Sequence, residues 1–138
     1  MREIKFRAWL LDRFDSYNGQ VYIAKWKLVD VHSLHFGSNK IMFTGGTTKT
    51  PRSQKIDGEC IIEQFTGMLD KNNKKIYEGD IVRAVDTNTH EYDDEIEDSV
   101  SFIGSCFCLY ETWEPLDYFG EKNLEVIGNI HENQELLK

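Results

Sequence analysis

The sequence predicts a mostly β protein: short antiparallel strands forming a partly closed, SH3-like barrel or two packed sheets, ending in a short helical turn. Three observations carry this expectation. Apolar residues alternate with period two in several short runs, turn-forming residues separate those runs, and no stretch sustains helical periodicity for long. The length of 138 residues suits one compact domain over 1–138, with possible lobes at 1–58 and 59–138. A chain of this size buries about two-thirds of its unfolded surface, so its core needs no disulfide or metal staple. An apolar content of 40%, including three Trp, six Tyr and eight Phe, supplies that core.

The elements follow in order. "EIKFRAWL" (Glu3–Leu10) puts Ile4, Phe6, Ala8 and Leu10 on one face and Glu3, Lys5, Arg7 and Trp9 on the other, which predicts a half-buried strand. Asn18-Gly19 is the strongest hairpin signal, because both residues accept the positive φ of a two-residue turn. A second strand is expected from Gln20 to about Leu28. The region Asp30–Gly58 is the least regular. Within it, "KIMF" (Lys40–Phe43) predicts a short strand and "TGGTTKTPRSQK" an exposed loop, made basic by Lys49, Arg52 and Lys55. "ECIIEQF" (Glu59–Phe65) predicts a strand with Ile61 and Phe65 on one face and Cys60 and Ile62 on the other.

A polar knot then interrupts the apolar pattern in "QFTGMLDKNNKKIYEGDIV" (Gln64–Val82). Thr66-Gly67 is expected to end the preceding strand. Asp70 is placed to hydrogen-bond its own backbone two residues on, and Asn73 to take the left-handed conformation usually given to Gly. Gly79-Asp80 predicts a second tight reversal. "DIVRAV" reads as a strand with Ile81, Arg83 and Val85 opposed to Val82 and Ala84. "DTNTHEYDDEIED" (Asp86–Asp98) reads as a polar connection, and "SVSFIGSCFCLYETW" as strand with a bulge at Gly104. "EPLDYFGEKN" is expected to be a loop and "LEVIGNI" (Leu124–Ile130) the last strand. "ENQELLK" closes as a helical turn capped by Asn133.

The net charge of −8 is unevenly spread: residues 1–83 carry +4, 84–121 carry −11 with no Lys or Arg, and 122–138 carry −1. An acidic chain opposes direct nucleic-acid binding, which is driven by Lys and Arg releasing counterions from phosphates. Asp93, Asp94, Glu95 and Glu97 in the acidic stretch are the candidate interaction surface. The three cysteines, the absence of a secretory pattern at the start and the lack of any apolar run near 18 residues predict a soluble cytoplasmic protein without a membrane span.

Three segments together resemble the YopX family of phage and prophage proteins: "MREIKFRAW", the central "QFTGMLDKNNKKIYEGDIV" and the terminal "LEVIGNIHENQELL". The family pattern is close to QYTGLKDKNGKEIYEGDIV at the centre and EVIGNIYENPELL at the end. Here Phe65, Asn73, His131 and Gln134 stand where the family usually has Tyr, Gly, Tyr and Pro. Gln134 lacks proline's restricted φ, so the final turn is expected to fray. The resemblance implies a mostly β domain in a phage-derived protein of the bacterial cytoplasm, and it implies no activity.

Within the motif, Thr66, Gly67, Asp70, Asn73, Gly79 and Asp80 are assigned to turn geometry. Glu78 and Asp80 are also the only carboxylate pair placed for acid–base or metal chemistry, but nothing nearby completes a site, and the turn explains Asp80 better. Cys106 and Cys108, two apart on a strand, would need Cys60 and His90 or His131 to hold zinc; reduced core thiols are the expectation. His32 and His35 accompany no nucleophile motif. No catalytic residue, cofactor or metal is therefore predicted. The expected role is a protein-binding or self-associating module, its partner a second copy or a host protein. The alternatives are an acidic nucleic-acid mimic or nucleic-acid-associated regulator, and last an enzyme.

Overall fold

The computed structural model describes residues 3–15, 21–35, 37–45, 48–55, 60–88 and 94–137. The predicted Asn18-Gly19 turn, Asp93 and His90 lie outside them. The protein is mostly β and holds two antiparallel sheets, neither closed into a barrel. Of the two predicted architectures, the barrel is thus corrected. Contacts divide the chain into two compact units, Lys5–Gln64 and Met1–Ile4 with Phe65–Lys138. The boundary falls inside a strand, whereas the sequence-based lobes place it at Gly58.

In the first unit, β1 (Phe6–Asp15) lies between β2 (Val21–His35) and β5 (Cys60–Leu69), and β2 continues the sheet to β3 (Lys40–Gly45) and β4 (Thr48–Lys55). Its apolar core is Ala8, Leu10, Val29, Ile41, Phe43 and Cys60. The predicted inner face of β1 is therefore in place at Ala8 and Leu10. The other face is not solvated as expected: Arg7 and Trp9 are also buried. On β5 the alternation does not sort buried from exposed residues: Cys60 joins the core, and on the other face Ile61 is exposed while Phe65 is buried.

The region expected to be irregular is largely strand. β2 runs to His35, and the basic stretch predicted as a loop forms the β3–β4 hairpin. Pro51 obscured that hairpin, because proline cannot donate to a ladder. It is tolerated because β4 is an edge strand and Pro51 falls where the pairing register shifts, between the Phe43↔Arg52 and Gly45↔Thr48 pairs.

In the second unit, β5 pairs with β6 (Lys75–Tyr77), and a four-stranded sheet is ordered β10-β7-β8-β9. These strands are β7 (Asp80–Asp86), β8 (Asp94–Ile103), β9 (Cys106–Leu109) and β10 (Leu124–Asn129). The core comprises Ile76, Val82, Ala84, Val100, Leu109, Leu116, Phe119 and Leu124. The stretch predicted as a loop before β10 contains a short helix, α1 (Leu116–Phe119), and a 3-10 turn at Glu121–Asn123. Leu116 and Phe119 are buried, and the Asn123 side-chain amide donates to the Phe119 carbonyl at 2.9 Å.

Two further predictions are corrected here. Gly104 does not bulge a single strand. It forms, with Ser105, the two-residue turn between Ile103 and Cys106, with φ of 60° and 74°. Positive φ at both positions is the twist that joins antiparallel neighbours. The end of the acidic connection is also strand, since Asp94–Asp98 pair with Asp86–Val82 of β7.

The C-terminal turn is present as a 3-10 turn at Gln134–Leu136, but the Asn133 side chain does not cap it. Instead Asn133 Oδ1 accepts the Asn129 N–H at 3.2 Å, and Asn129 Oδ1 accepts the N–H groups of His131 and Glu132 at 3.0 and 2.9 Å. Gly128 makes room for this knot: a Cβ there would meet Asn133 Oδ1 at 2.7 Å and Asn133 Cβ at 2.9 Å. Gly128→Ala should therefore cost about 1–3 kcal/mol through overpacking. Urea unfolding checks this, and a loss below ~0.5 kcal/mol would show that the knot yields freely.

Candidate functional site

The six motif residues build a clasp. Thr66 and Gly67 do not end β5 as predicted; they sit in an irregular stretch between the Phe65↔Tyr77 and Leu69↔Lys75 pairs. Gly67 takes φ 87° there. The Thr66 hydroxyl repairs the interrupted ladder, donating to the Ile76 carbonyl at 2.7 Å and accepting the Met68 N–H at 3.2 Å.

Asp70 opens the β5–β6 turn and is buried. Its Oδ1 accepts the N–H groups of Asn72 and Lys74 at 2.8 and 2.9 Å, and its Oδ2 accepts the Val126 N–H at 2.9 Å. Burial pushes this carboxyl's pKa up. The amides of Val126, Lys74 and Asn72, with the Lys74 charge, outweigh burial and hold it below its ordinary value. Asn73 takes φ 64°, as predicted. The Lys71 N–H donates to the Leu124 carbonyl at 2.8 Å. The turn thereby covers the outer edge of β10, satisfying backbone groups that a sheet edge would leave open.

Gly79-Asp80 does not join paired strands, because β6 and β7 belong to different ladders. Gly79, at φ 80°, donates to the Val100 carbonyl at 2.9 Å and accepts the Ile130 N–H at 2.8 Å. Buried Asp80 accepts the Tyr77 N–H at 2.9 Å. Each named motif residue thus has a backbone task.

The acidic residues have a different environment. Arg83 on β7 stands opposite Glu97 of β8 and Glu125 of β10. Its guanidinium lies 2.9 Å from Glu95 Oε1, 2.9 Å from Glu97 Oε1 and 3.6 Å from Glu125 Oε2, and Lys71 Nζ is 2.8 Å from the same Glu125 oxygen. The hydrogen bond to Glu97 raises the Arg83 pKa most; desolvation opposes it, and the Glu95, Glu97 and Glu125 charges add to the rise. Asp94 lies at the start of the strand and is exposed.

Sequence reasoning missed the loop after β9. Asp98, buried on β8, accepts the Ser99 N–H and the Glu111 N–H, each at 2.7 Å. The Tyr110 N–H donates to the Ser99 carbonyl at 3.0 Å, Leu109 N–H to Glu114 at 3.0 Å, and Trp113 N–H to Leu109 at 2.9 Å. This bracing presents Tyr110 and Trp113 to solvent, 56% and 68% exposed, with Trp113 held at φ 61°. Beside the loop is a cleft of about 450 Å³ lined by Glu97, Asp98, Ser99, Ser101, Tyr110, Glu111, Ile130 and Leu137. The "ETWEP" stretch carries no glycine to announce a positive φ.

The remaining candidates do not converge. Cys60 lies in the first unit's core; Cys106 and Cys108 share β9, where burial, reinforced by Cys106, pushes the Cys108 thiol's pKa up. Among the described residues no group of three or more His, Cys, Asp or Glu is arranged to hold a metal. Ser33 Oγ is 2.9 Å from His35 Nε2 in an exposed contact at the end of β2. No helix among the described residues is long and apolar enough to cross a membrane.

No curated protein matches this chain. Its fold is similar to that of protein EF1440 from Enterococcus faecalis, a crystal structure superposing with a TM-score of 0.60 over 100% of both chains at 24% identity. The YopX protein family matches residues 5–138, which includes the central clasp and the terminal knot. The chain belongs to the YopX family.

Proposed function

We propose that this protein is a protein-binding module and that the Tyr110–Trp113 loop is its principal contact. The observation that carries this is Trp113, exposed and yet fixed in the left-handed region. A bulky side chain gains nothing locally from that conformation, which costs about 1–2 kcal/mol. Strain maintained by surrounding hydrogen bonds is characteristic of sites that serve another molecule. Exposed Trp and Tyr on a rigid loop also give large contact area at small conformational cost, as in interface hot spots.

Binding fits better than catalysis because the buried carboxylates Asp70, Asp80 and Asp98 each accept backbone amides. A nucleic-acid mimic is a poorer fit to the acidic stretch, since Arg83 sits among Glu95, Glu97 and Glu125. The partner is a second copy or a protein of the bacterial host.

Trp113→Gly separates function from folding. Glycine accepts the backbone conformation freely, so the variant should be as stable as the native protein or up to about 1 kcal/mol more stable. Partner capture, or self-association seen by light scattering, should fall at least tenfold. A native protein that stays monomeric and captures nothing would overturn the binding-module reading; undiminished binding by the variant would remove Trp113 from it.

A further inference from the structure

We propose that the open edge of β8 accepts an extended, lysine- or arginine-rich segment of a partner protein as an added strand. The inference rests on the binding-module reading and names the chemistry of its partner. The Ser99 carbonyl faces the β9 side, where it accepts the Tyr110 N–H. In an antiparallel ladder, alternate residues direct their N–H and C=O groups to the same side. Glu97 and Glu95 therefore direct theirs to that side too, while Ile96 and Asp98 face β7. The β8–β7 register is unbroken from Ser99 to Asp94, so the alternation holds throughout. β9 pairs only with Val100–Ile103. Among the described strands, none lies against the outward groups of Glu95 and Glu97.

The sheet's two edges are treated differently. The Asp70 turn occupies the outer groups of β10 at Leu124 and Val126. On the other side, Asp98 takes the Ser99 and Glu111 amides, closing the β8–β9 seam where the chain turns away. Beyond that seam no described strand covers the edge, and Glu97 there also lines the 450 Å³ cleft. Tyr110 and Leu137 give the cleft apolar walls, Glu97 and Glu111 give it negative charge, and among the described residues no Lys or Arg lines it.

The occupant follows from charge. A second β8 edge would set Glu against Glu, which disfavours pairing between copies here. Arg83 offsets only part of this charge, because Asp94, Glu95, Glu97 and Glu111 outnumber it, so a segment alternating basic and apolar residues would place its cations near Glu95 and Glu97 while its backbone completes the ladder. Main-chain bonds then supply affinity and the alternate side chains supply selectivity.

The test uses the full chain and an acetylated, amidated Lys-Val-Lys-Val-Lys-Val peptide. Amide exchange and NMR shifts should locate binding at Glu95 and Glu97, with at least tenfold slower exchange at those two amides. The same peptide N-methylated at alternate residues keeps its charge but loses its donors, and should bind at least tenfold more weakly. A Glu-Val peptide should leave both amides unchanged. Equal binding of the N-methylated peptide would show charge attraction without strand addition and overturn the proposal, as would no binding of the lysine peptide. Self-association that protects the same two amides would place a second copy on the edge and overturn the assigned partner. Each of these outcomes leaves the Trp113 test standing, so the two ideas fail separately.

Discussion

Glu63→Ala should destabilise the protein by about 3–5 kcal/mol, more than loss of the Asp70 carboxylate or of the space at Gly128. Glu63 Oε1 accepts both the Arg7 Nε–H at 2.9 Å and the Trp9 indole N–H at 2.6 Å. All three residues are buried, and the Arg7 guanidinium lies 5.9 Å from the Trp9 ring centroid. The pairing register explains the meeting: Arg7 stands directly opposite Glu63 across the β1–β5 ladder, with Trp9 two residues along the same face. Truncating Glu63 removes the acceptor that Arg7 and Trp9 share, together with the opposite charge beside the buried guanidinium. Removing both charges should cost less than removing one, because a buried ion pair contributes little beyond an apolar replacement of similar shape. Urea unfolding of Glu63→Ala, Arg7→Met and the Arg7→Met/Glu63→Leu pair checks this. Additive losses in the double variant would show that the two residues act independently.

Asp70→Asn should cost about 2–4 kcal/mol at neutral pH. The carboxylate serves three backbone donors, two within the turn and one 56 residues away on β10. An amide side chain offers one carbonyl oxygen, and its NH₂ faces a donor, so at least one N–H loses its acceptor. Hydrogen bonds to a charged group contribute about 1.5–3 kcal/mol each, and an orphaned buried donor costs about 1–3 kcal/mol. Hydrogen exchange at the Val126 amide should accelerate more in this variant than exchange in the β3–β4 hairpin.

The local half of this clasp was legible in the sequence. An Asp bonding the amide two residues on and an Asn at positive φ are short-range chemistry, and both occur at Asp70 and Asn73. The Val126 partner was not legible, because only tertiary pairing brings it to Asp70. The acidic run concealed the first half of β8 for a related reason. Asp and Glu are poor strand formers by themselves, and only Arg83 on the neighbouring strand makes Glu95 and Glu97 compatible with a ladder. Helix α1 is too short to show periodicity, although Pro115 before it and Gly120 after it mark its ends. Trp9 departs from a simple period-two reading because the buried Arg7–Glu63–Trp9 group occupies the face that alternation assigned to solvent.

The stability difference between the native protein and Asp70→Asn, followed from pH 7 to about pH 2, tests the clasp most directly. A carboxylate whose folded-state pKa lies below its unfolded value, about 3.9, contributes stability that is complete above that value. The contribution is lost as pH falls through the folded-state pKa. The native protein should therefore lose its advantage over Asp70→Asn progressively below about pH 4. An advantage that stays constant through this range, or grows as the solution is acidified, would contradict a charged Asp70 holding the turn to the edge of the sheet.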